Sequence, residues 1–127
     1  MDTRELKAWI AAYGRAWEAK DSSAFVRLFS PTVKYYWTPF DEPKDGREAV
    51  AAAFQAATAR QDHIRFDCSV LGQHAEHALA HWQCSFVRIG TGRTVHLDGI
   101  FLMAFDSRRE CTLFREWWHS DEGTASG

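Results

Sequence analysis

The stretch IRFDCSVLGQHAEHALAHWQCSF, residues 64–86, decides the fold of this chain because its apolar side chains recur at every second position. A period of two belongs to a β-strand that buries one face and exposes the other. Gly72 interrupts the pattern, so the stretch predicts two consecutive strands rather than one. The alternating apolar residues are Ile64, Phe66, Cys68 and Val70, then Ala80, Trp82, Cys84 and Phe86.

The sequence that follows this stretch continues as turns and strands. Four consecutive strands joined by short turns predict an antiparallel meander. The predicted elements are a turn at residues 90–92, a strand at 94–105, a turn at 106–110 and a last strand at 111–119.

The sequence before residue 61 has the spacing of helices instead. Residues 3–19 place apolar side chains three and four positions apart, which predicts an amphipathic helix. Asp21 or Ser22 can cap a short second helix that Pro31 ends. The face predicted to be buried comprises Leu6, Trp9, Ile10, Tyr13 and Trp17 in the first helix, and Phe25, Leu28 and Phe29 in the second.

A strand at residues 33–37 and a proline-containing loop at residues 38–43 precede a third helix. Asp45 and Glu48 have the spacing of a capping box, so Asp45 is the predicted N-cap. Helices first and strands afterwards predict an α+β domain in which three N-terminal helices pack on one face of a mainly antiparallel sheet.

The composition is that of one globular domain of 127 residues, with 46% hydrophobic and 25% charged residues. The net charge of −2 at pH 7 gives no reason to expect nucleic acid or a membrane as a partner. Because the start, MDTRELKAW, lacks the layout of a signal peptide, we expect a cytoplasmic protein. Residues 1–120 are the expected domain and residues 121–127, rich in Gly, Ser and Thr, a flexible tail.

Cysteines and histidines form no metal or cofactor motif. Cys68, Cys84 and Cys111 include no C-x-x-C pair, so we expect reduced thiols that pack like apolar side chains. The six histidines lack the spacing of a zinc enzyme, although His81 and His96, on adjacent strands, could meet as a catalytic dyad. No nucleotide-binding or serine-hydrolase motif is present. We therefore predict no metal and no cofactor.

Three segments resemble the nuclear transport factor 2-like superfamily, over essentially the whole chain. They are YGRAWEAKD at residues 13–21, PFDEPKDGREAV at residues 39–50, and LDGIF at residues 97–101 with REWWH at residues 115–119. The second and third segments are similar to SnoaL-like members of uncharacterised function. The resemblance implies a strongly curved sheet that encloses a conical pocket. This scaffold hosts isomerases, cyclases, dehydratases, epoxide hydrolases and binding proteins.

Comparison with ketosteroid isomerase, a member of this superfamily, suggests roles for single residues. The resemblance implies that Tyr13 stands where that enzyme keeps its oxyanion tyrosine, and Thr38 where it keeps its aspartate base. The Thr38 hydroxyl has no activating partner and would not abstract a proton next to a carbonyl at pH 7, which speaks against steroid isomerisation by the same route. Asp98 invites comparison with the protonated aspartate of that enzyme, but Phe101 falls nearer that place unless a bulge at Gly99 shifts the register.

Glu116 is the carboxylate that the residue pattern favours. It alternates with Phe114 and Trp118 on one face of the last strand, where desolvation would raise its pKa and suit it to acid or base catalysis. The pattern also fits an amphipathic face on which Glu116 pairs with an arginine. Asp98 joins Tyr13 and Glu116 only if it points to the concave side of the sheet, and otherwise it is an interface or turn carboxylate.

Two functions fit these residues. The first is a cofactor-independent isomerase, cyclase or dehydratase that moves a proton in a small apolar carbonyl or hydroxyl compound, with Tyr13, Asp98 and Glu116 as the catalytic groups. The second is a non-catalytic ligand-binding or dimerisation domain of the same fold. In both, the substrate-binding walls are predicted to be Trp17, Tyr36, Phe54, Phe101 and Trp118.

The outer face of the last strands is more apolar than a solvated surface. Ile100, Leu102 and Trp117 share this face in the predicted register. A second copy of the chain would cover it most simply, so we expect a homodimer through the outer sheet face.

Overall fold

The computed structural model describes residues 1–125, which form three helices and six strands. Helices come first and a long run of strands follows, so the predicted α+β class is confirmed. The elements are α1 (Thr3–Glu18), α2 (Ser22–Val26), β1 (Phe29–Tyr36), β2 (Lys44–Asp45), α3 (Arg47–Thr58), β3 (Gln61–His74), β4 (His77–Arg88), β5 (Arg93–Phe105) and β6 (Cys111–Ala125).

The six strands form one sheet in the order β2-β1-β6-β5-β4-β3. Strands β3 to β6 form the predicted antiparallel meander, because each one pairs with the next. Strand β1 pairs in parallel with β6, and the two-residue strand β2 pairs with β1. The sequence indicated neither pairing, since both depend on contacts between distant parts of the chain.

Helix α1 packs across the sheet through its predicted apolar face. A capping box starts it: the Asp2 carboxylate accepts from the Glu5 N–H at 2.8 Å, and the Glu5 carboxylate accepts from the Asp2 N–H at 3.3 Å. Gly14 lies against the sheet, where a Cβ would be 2.6 Å from a ring carbon of Phe66 on β3. A glycine at this position therefore lets the helix lie close above β3.

Two predicted element boundaries are wrong. Helix α2 ends at Val26, and β1 already begins at Phe29 and runs through Pro31. The N-cap of α3 is Gly46, with φ of 88°, and it makes no side-chain cap. Asp45 belongs instead to β2 and forms an ion pair with Lys34 on β1 at 2.8 Å, which directs its carboxylate away from the helix.

The last strand is longer than the predicted residues 111–119. Strand β6 continues to Ala125 because β5 offers it backbone partners that far, including the pairs Val95 with Glu122 and Arg93 with Ala125. Residues 126–127 lie outside the described part of the chain.

The core lies between the helices and the concave face of the sheet. Its largest fully buried side chains include Trp82, Phe29, Phe101 and Phe114. The three cysteines are free, as expected, and burial raises the pKa of the Cys84 thiol to about 12. Among residues 1–125, no helix combines the length and the apolar character needed to cross a membrane.

Candidate functional site

A cavity of about 400 Å³ lies between the helices and the concave face of the sheet. Most of its wall is aromatic or aliphatic. Its polar lining consists of Tyr13, Tyr35, Gln61, Arg88, Glu116 and Ser120. An apolar cavity with few polar groups is the usual form of a small-molecule site.

Glu116 and two tyrosines form the polar centre of this cavity. The Tyr35 hydroxyl donates to Oε1 of Glu116 at 2.6 Å, and the Tyr13 hydroxyl lies 3.4 Å from the same oxygen. The two hydroxyl oxygens are 2.7 Å apart. Because each hydroxyl has one proton, Tyr13 donates to Tyr35 while Tyr35 donates to an ionised Glu116.

The second carboxylate oxygen of Glu116 has a different environment. Among the residues that the structure describes, Oε2 accepts no hydrogen bond, and it is not fully enclosed by protein. Glu116 lines the cavity, so Oε2 is the oxygen available to a bound molecule. One oxygen is thus held by tyrosines, and the other is free to exchange a proton.

The surroundings of Glu116 place its proton exchange near neutral pH. Burial raises the pKa of its carboxyl from 4.5 to about 8, while the hydrogen bonds from Tyr35 and Tyr13 oppose that rise. Burial, and then the neighbouring charge of Glu116, raises the pKa of both tyrosines well above 10.0. Near neutral pH, therefore, both tyrosines are neutral donors and Glu116 is the group that titrates.

Stacked rings fix the positions of the two tyrosine hydroxyls. Tyr35 stacks on Phe114 with ring centroids 4.5 Å apart, and Tyr13 stacks on the same ring at 5.3 Å. Phe101 packs edge-on against Tyr13 at 5.5 Å. Since Phe114 is fully buried, neither hydroxyl can move far from Glu116 without disrupting the core.

Five residues predicted for the site line this one cavity: Tyr13, Trp17, Phe54, Glu116 and Trp118. Phe101, also predicted as a wall residue, lies behind the wall instead. It is only 1% exposed and stacks on Trp82, so it supports the cavity from within the core.

The structure places Asp98 away from the other two predicted catalytic residues. Strand β5 has no bulge at Gly99, which pairs regularly with Trp118 on β6, so Asp98 points to the outer face. There it accepts from Gln83 at 2.9 Å and lies 2.8 Å from the ring Nε2 of His81. These two bonds lower the pKa of the exposed Asp98 carboxyl.

Tyr36, predicted as a wall residue, also lies on the outer face. Successive residues of a strand point to opposite faces, and here Tyr35 is the one that faces the cavity. The Tyr36 ring lies under the guanidinium of Arg115, whose carbon is 3.9 Å from the ring centroid. The sequence prediction therefore chose the tyrosine next to the correct one. Pairing β1 with β6 aligns Tyr35 with the buried Phe114 and would have identified Tyr35 as the inward residue.

His81 and His96, which the sequence allowed to meet as a dyad, do not pair. On the β4–β5 ladder His81 lies opposite Ile100, and His96 lies opposite Ser85. Among residues 1–125, no three His, Cys, Asp or Glu side chains are grouped as metal ligands.

Comparison with protein families matches residues 10–109 to the SnoaL-like domain. This match covers most of the chain and supports the resemblance that the sequence motifs indicated. No functionally curated protein matches the sequence.

Three solved structures share the fold at low sequence identity. The Mycobacterium tuberculosis protein RV0760c is 16% identical, with a TM-score of 0.83 over 97% of this chain and 99% of that chain. SalBIII, an epoxide hydrolase/cyclase-like enzyme with a role in pyran ring formation in the polyether salinomycin, is 16% identical, with a TM-score of 0.80 over 93% of each chain. The Δ5-3-ketosteroid isomerase of Mycobacterium sp. is 14% identical, with a TM-score of 0.79 over 94% of this chain and 98% of that chain.

Proposed function

The chain belongs to the SnoaL-like domain family, and we propose that it is a cofactor-independent enzyme that moves a proton within a small apolar carbonyl or hydroxyl compound. Isomerisation, cyclisation and dehydration are the reaction types that such a step serves. The observation that carries the proposal is Glu116, a titrating carboxyl held by two tyrosine hydroxyls inside an apolar cavity.

The geometry suits Glu116 to general acid–base catalysis. Its pKa of about 8 is close to neutral pH, where a group can both accept and release a proton efficiently. In the ionised form, Oε2 would take a proton from a carbon next to a carbonyl or from a hydroxyl of the substrate. In the protonated form, the same oxygen would return the proton to another atom or to a leaving hydroxyl.

Tyr13 and Tyr35 would stabilise the charge that this transfer creates. While Glu116 is ionised, the Tyr35 proton is directed towards Oε1 and the Tyr13 proton towards the Tyr35 hydroxyl. When Glu116 takes up the substrate proton, Oε1 loses its charge and the hydroxyls become available to an oxygen that is gaining one. The apolar walls of the cavity would keep water from competing for these donors.

The solved structures that share this fold support the reaction class but do not identify a substrate for this chain. One of them is a ketosteroid isomerase and another an epoxide hydrolase/cyclase-like enzyme. Because a fold hosts many activities, the argument rests on the cavity and on Glu116 rather than on these neighbours.

Hydrogen–deuterium exchange tests the proposal without knowledge of the substrate. Cyclohexanone and 1-tetralone, incubated with the protein in D₂O, exchange the protons next to their carbonyl when a base removes and returns them. We expect the wild-type protein to accelerate this exchange, measured by NMR, and Glu116→Gln to slow it about 100-fold. Glu48→Gln, on the exposed first turn of α3, is the matched control and should exchange like wild type. Equal exchange by wild type and Glu116→Gln would reject the proposal.

A second candidate function is ligand binding without turnover. Oε1 of Glu116 is already satisfied by protein donors, an arrangement that also suits a fixed hydrogen-bond anchor for a ligand. In that case a ketone would bind, and binding would weaken in Glu116→Gln, but neither protein would accelerate exchange.

The cellular setting and the oligomeric state are part of the same proposal. Free cysteines are typical of a reducing compartment, which is consistent with a cytoplasmic location. The outer sheet face carries Trp117, 40% exposed, together with Ile100 and Leu102, and we expect a second copy to cover it.

A further inference from the structure

Gln61 is a further buried polar side chain of the cavity, and it makes no hydrogen bond to Glu116 or the two tyrosines. It is the first residue of β3, it lines the cavity, and only 9% of its surface is exposed. Neither the sequence pattern nor the proposed mechanism gives it a role. A buried amide has four hydrogen-bonding positions, and their partners determine what it can still bind.

Trp17 fixes the orientation of the Gln61 amide. The indole Nε1 of Trp17 lies 2.8 Å from Oε1 of Gln61. An indole nitrogen can only donate, so the atom that it meets must be the amide oxygen. The amide nitrogen, with two protons, therefore points away from Trp17.

That amide nitrogen has no acceptor in the described part of the chain, residues 1–125. Within residues 1–125, the Gln61 side chain makes one hydrogen bond, the one that it accepts from Trp17. The amide nitrogen of Gln61 is not fully enclosed by protein. Since the residue is otherwise buried and lines the cavity, the cavity is where these N–H groups face. These N–H groups can therefore donate to an acceptor oxygen of a ligand in the cavity.

Trp17 contacts both polar groups of the cavity. Its ring lies 6.2 Å from the ring of Tyr13, whose hydroxyl belongs to the Glu116 group, while its nitrogen holds Gln61. A ligand that contacts both groups therefore needs two oxygen functions on one apolar skeleton.

We propose that Gln61 determines specificity by donating its amide N–H to a second, carbonyl-type oxygen of the substrate. The substrate class is then an apolar compound with two oxygen functions, one at Glu116 and one at Gln61. This inference rests on the proposed function, because it takes the Glu116 group as the first point of contact.

Two probes that differ only in the second oxygen test the inference: 6-ethylnaphthalen-2-ol and 1-(6-hydroxynaphthalen-2-yl)ethanone, in which a carbonyl replaces the CH₂ of the ethyl group. Dissociation constants are measured by calorimetry for wild type, Gln61→Glu and Gln61→Met. The Glu variant keeps an acceptor for Trp17 but has no N–H when ionised, and the Met variant keeps the approximate shape without polar atoms. Gln55→Met, on the exposed face of α3, is the matched control.

We expect wild type and Gln55→Met to bind the ketone probe about tenfold more tightly than 6-ethylnaphthalen-2-ol, as one added hydrogen bond provides. Both Gln61 variants should bind the two probes equally tightly, even if each substitution changes the affinity for both probes by the same factor. A preference that survives in the Gln61 variants, or that wild type lacks, would overturn the role of Gln61.

Failure of the proposed function would look different. Binding that depends on Glu116 but not on Gln61 contradicts only this inference. If neither probe binds wild type, or if Glu116→Gln binds both unchanged, the cavity is not the site and both proposals fail.

Discussion

The Tyr35 hydroxyl lies 2.6 Å from Oε1 of Glu116, although the two residues are 81 positions apart in the chain. The parallel pairing of β1 with β6 creates this contact, because it aligns Tyr35 with Phe114, two residues before Glu116 on the same face. The parallel pairing thus brings a phenol from the start of the sheet to a carboxyl at its end.

The first prediction concerns this contact. Because the bond from Tyr35 opposes the rise in the Glu116 pKa, Tyr35→Phe should raise that pKa further, by about one unit. Tyr36→Phe changes the neighbouring ring on the outer face and should leave the pKa unchanged. A ¹³C NMR titration of labelled glutamate carboxyls measures both. Equal titration of Glu116 in the two variants would contradict the assignment of Tyr35.

The second prediction concerns pH and stability. Between the ordinary pKa of 4.5 and the folded pKa of about 8, the native protein keeps a proton on Glu116 that the unfolded chain has lost. The contribution of Glu116 to stability is therefore fully present below pH 4.5 and falls as pH rises towards 8, by about 1.4 kcal/mol per unit. Glu116→Gln removes this dependence.

Urea denaturation of both proteins at pH 5, 6.5 and 8 measures that difference. We expect Glu116→Gln to gain stability relative to wild type at each step upward in pH. A constant difference between the two proteins across this range would mean that Glu116 titrates normally in the folded state.

The third prediction concerns the close contact of β5 with β6 at Gly99. A Cβ at this position would collide with the carbonyl oxygen of Trp117 and lie 2.9 Å from Cα of Trp118. Both contacts are with backbone, which cannot move aside, so Gly99→Ala should destabilise the fold by about 3 kcal/mol. Gly123→Ala is the control, since its Cβ would meet its nearest atom at 3.7 Å. Thermal melts that place both variants at the same Tm would contradict this contact.

The fourth prediction concerns the outer face of the sheet. Sedimentation at tens of micromolar should show wild type as a dimer and Trp117→Lys as a monomer, because a charge on this face opposes its burial. Phe40→Lys changes a side chain that is 95% exposed in the loop after β1, and it should remain dimeric. A monomeric wild type at this concentration would show that solvent, not a second copy, covers Trp117.

Much of the fold followed from periodicity. The alternation that begins at Ile64 gave the meander, and the spacing of three and four gave α1, because burial of one face imposes those periods on the sequence. The same alternation placed Glu116 on one face with Phe114 and Trp118. Together with the resemblance to the superfamily, it led to Tyr13 and Glu116, which the structure brings together.

Errors arose where the sequence carries no period of its own. Strand β1 ends in two adjacent tyrosines, so whether Tyr35 or Tyr36 faces inward depends on its register with β6. The sequence allowed the Asp98 side chain to point to either face of the sheet. The regular pairing of Gly99 with Trp118 directs it to the outer face. Gln61 had no sequence signal, because its role depends on the bond from Trp17 on another element.

The sequence by itself determined the α+β class, the meander and the apolar helix face, since the hydrophobic effect acts along each element and leaves its period in the residues. Only the tertiary structure decided the composition of the site. Tyr13, Tyr35 and Glu116 come from α1, β1 and β6, and their hydrogen bonds exist only after these elements pack together. The pKa of Glu116 has the same origin, because desolvation requires the cavity that the whole chain encloses.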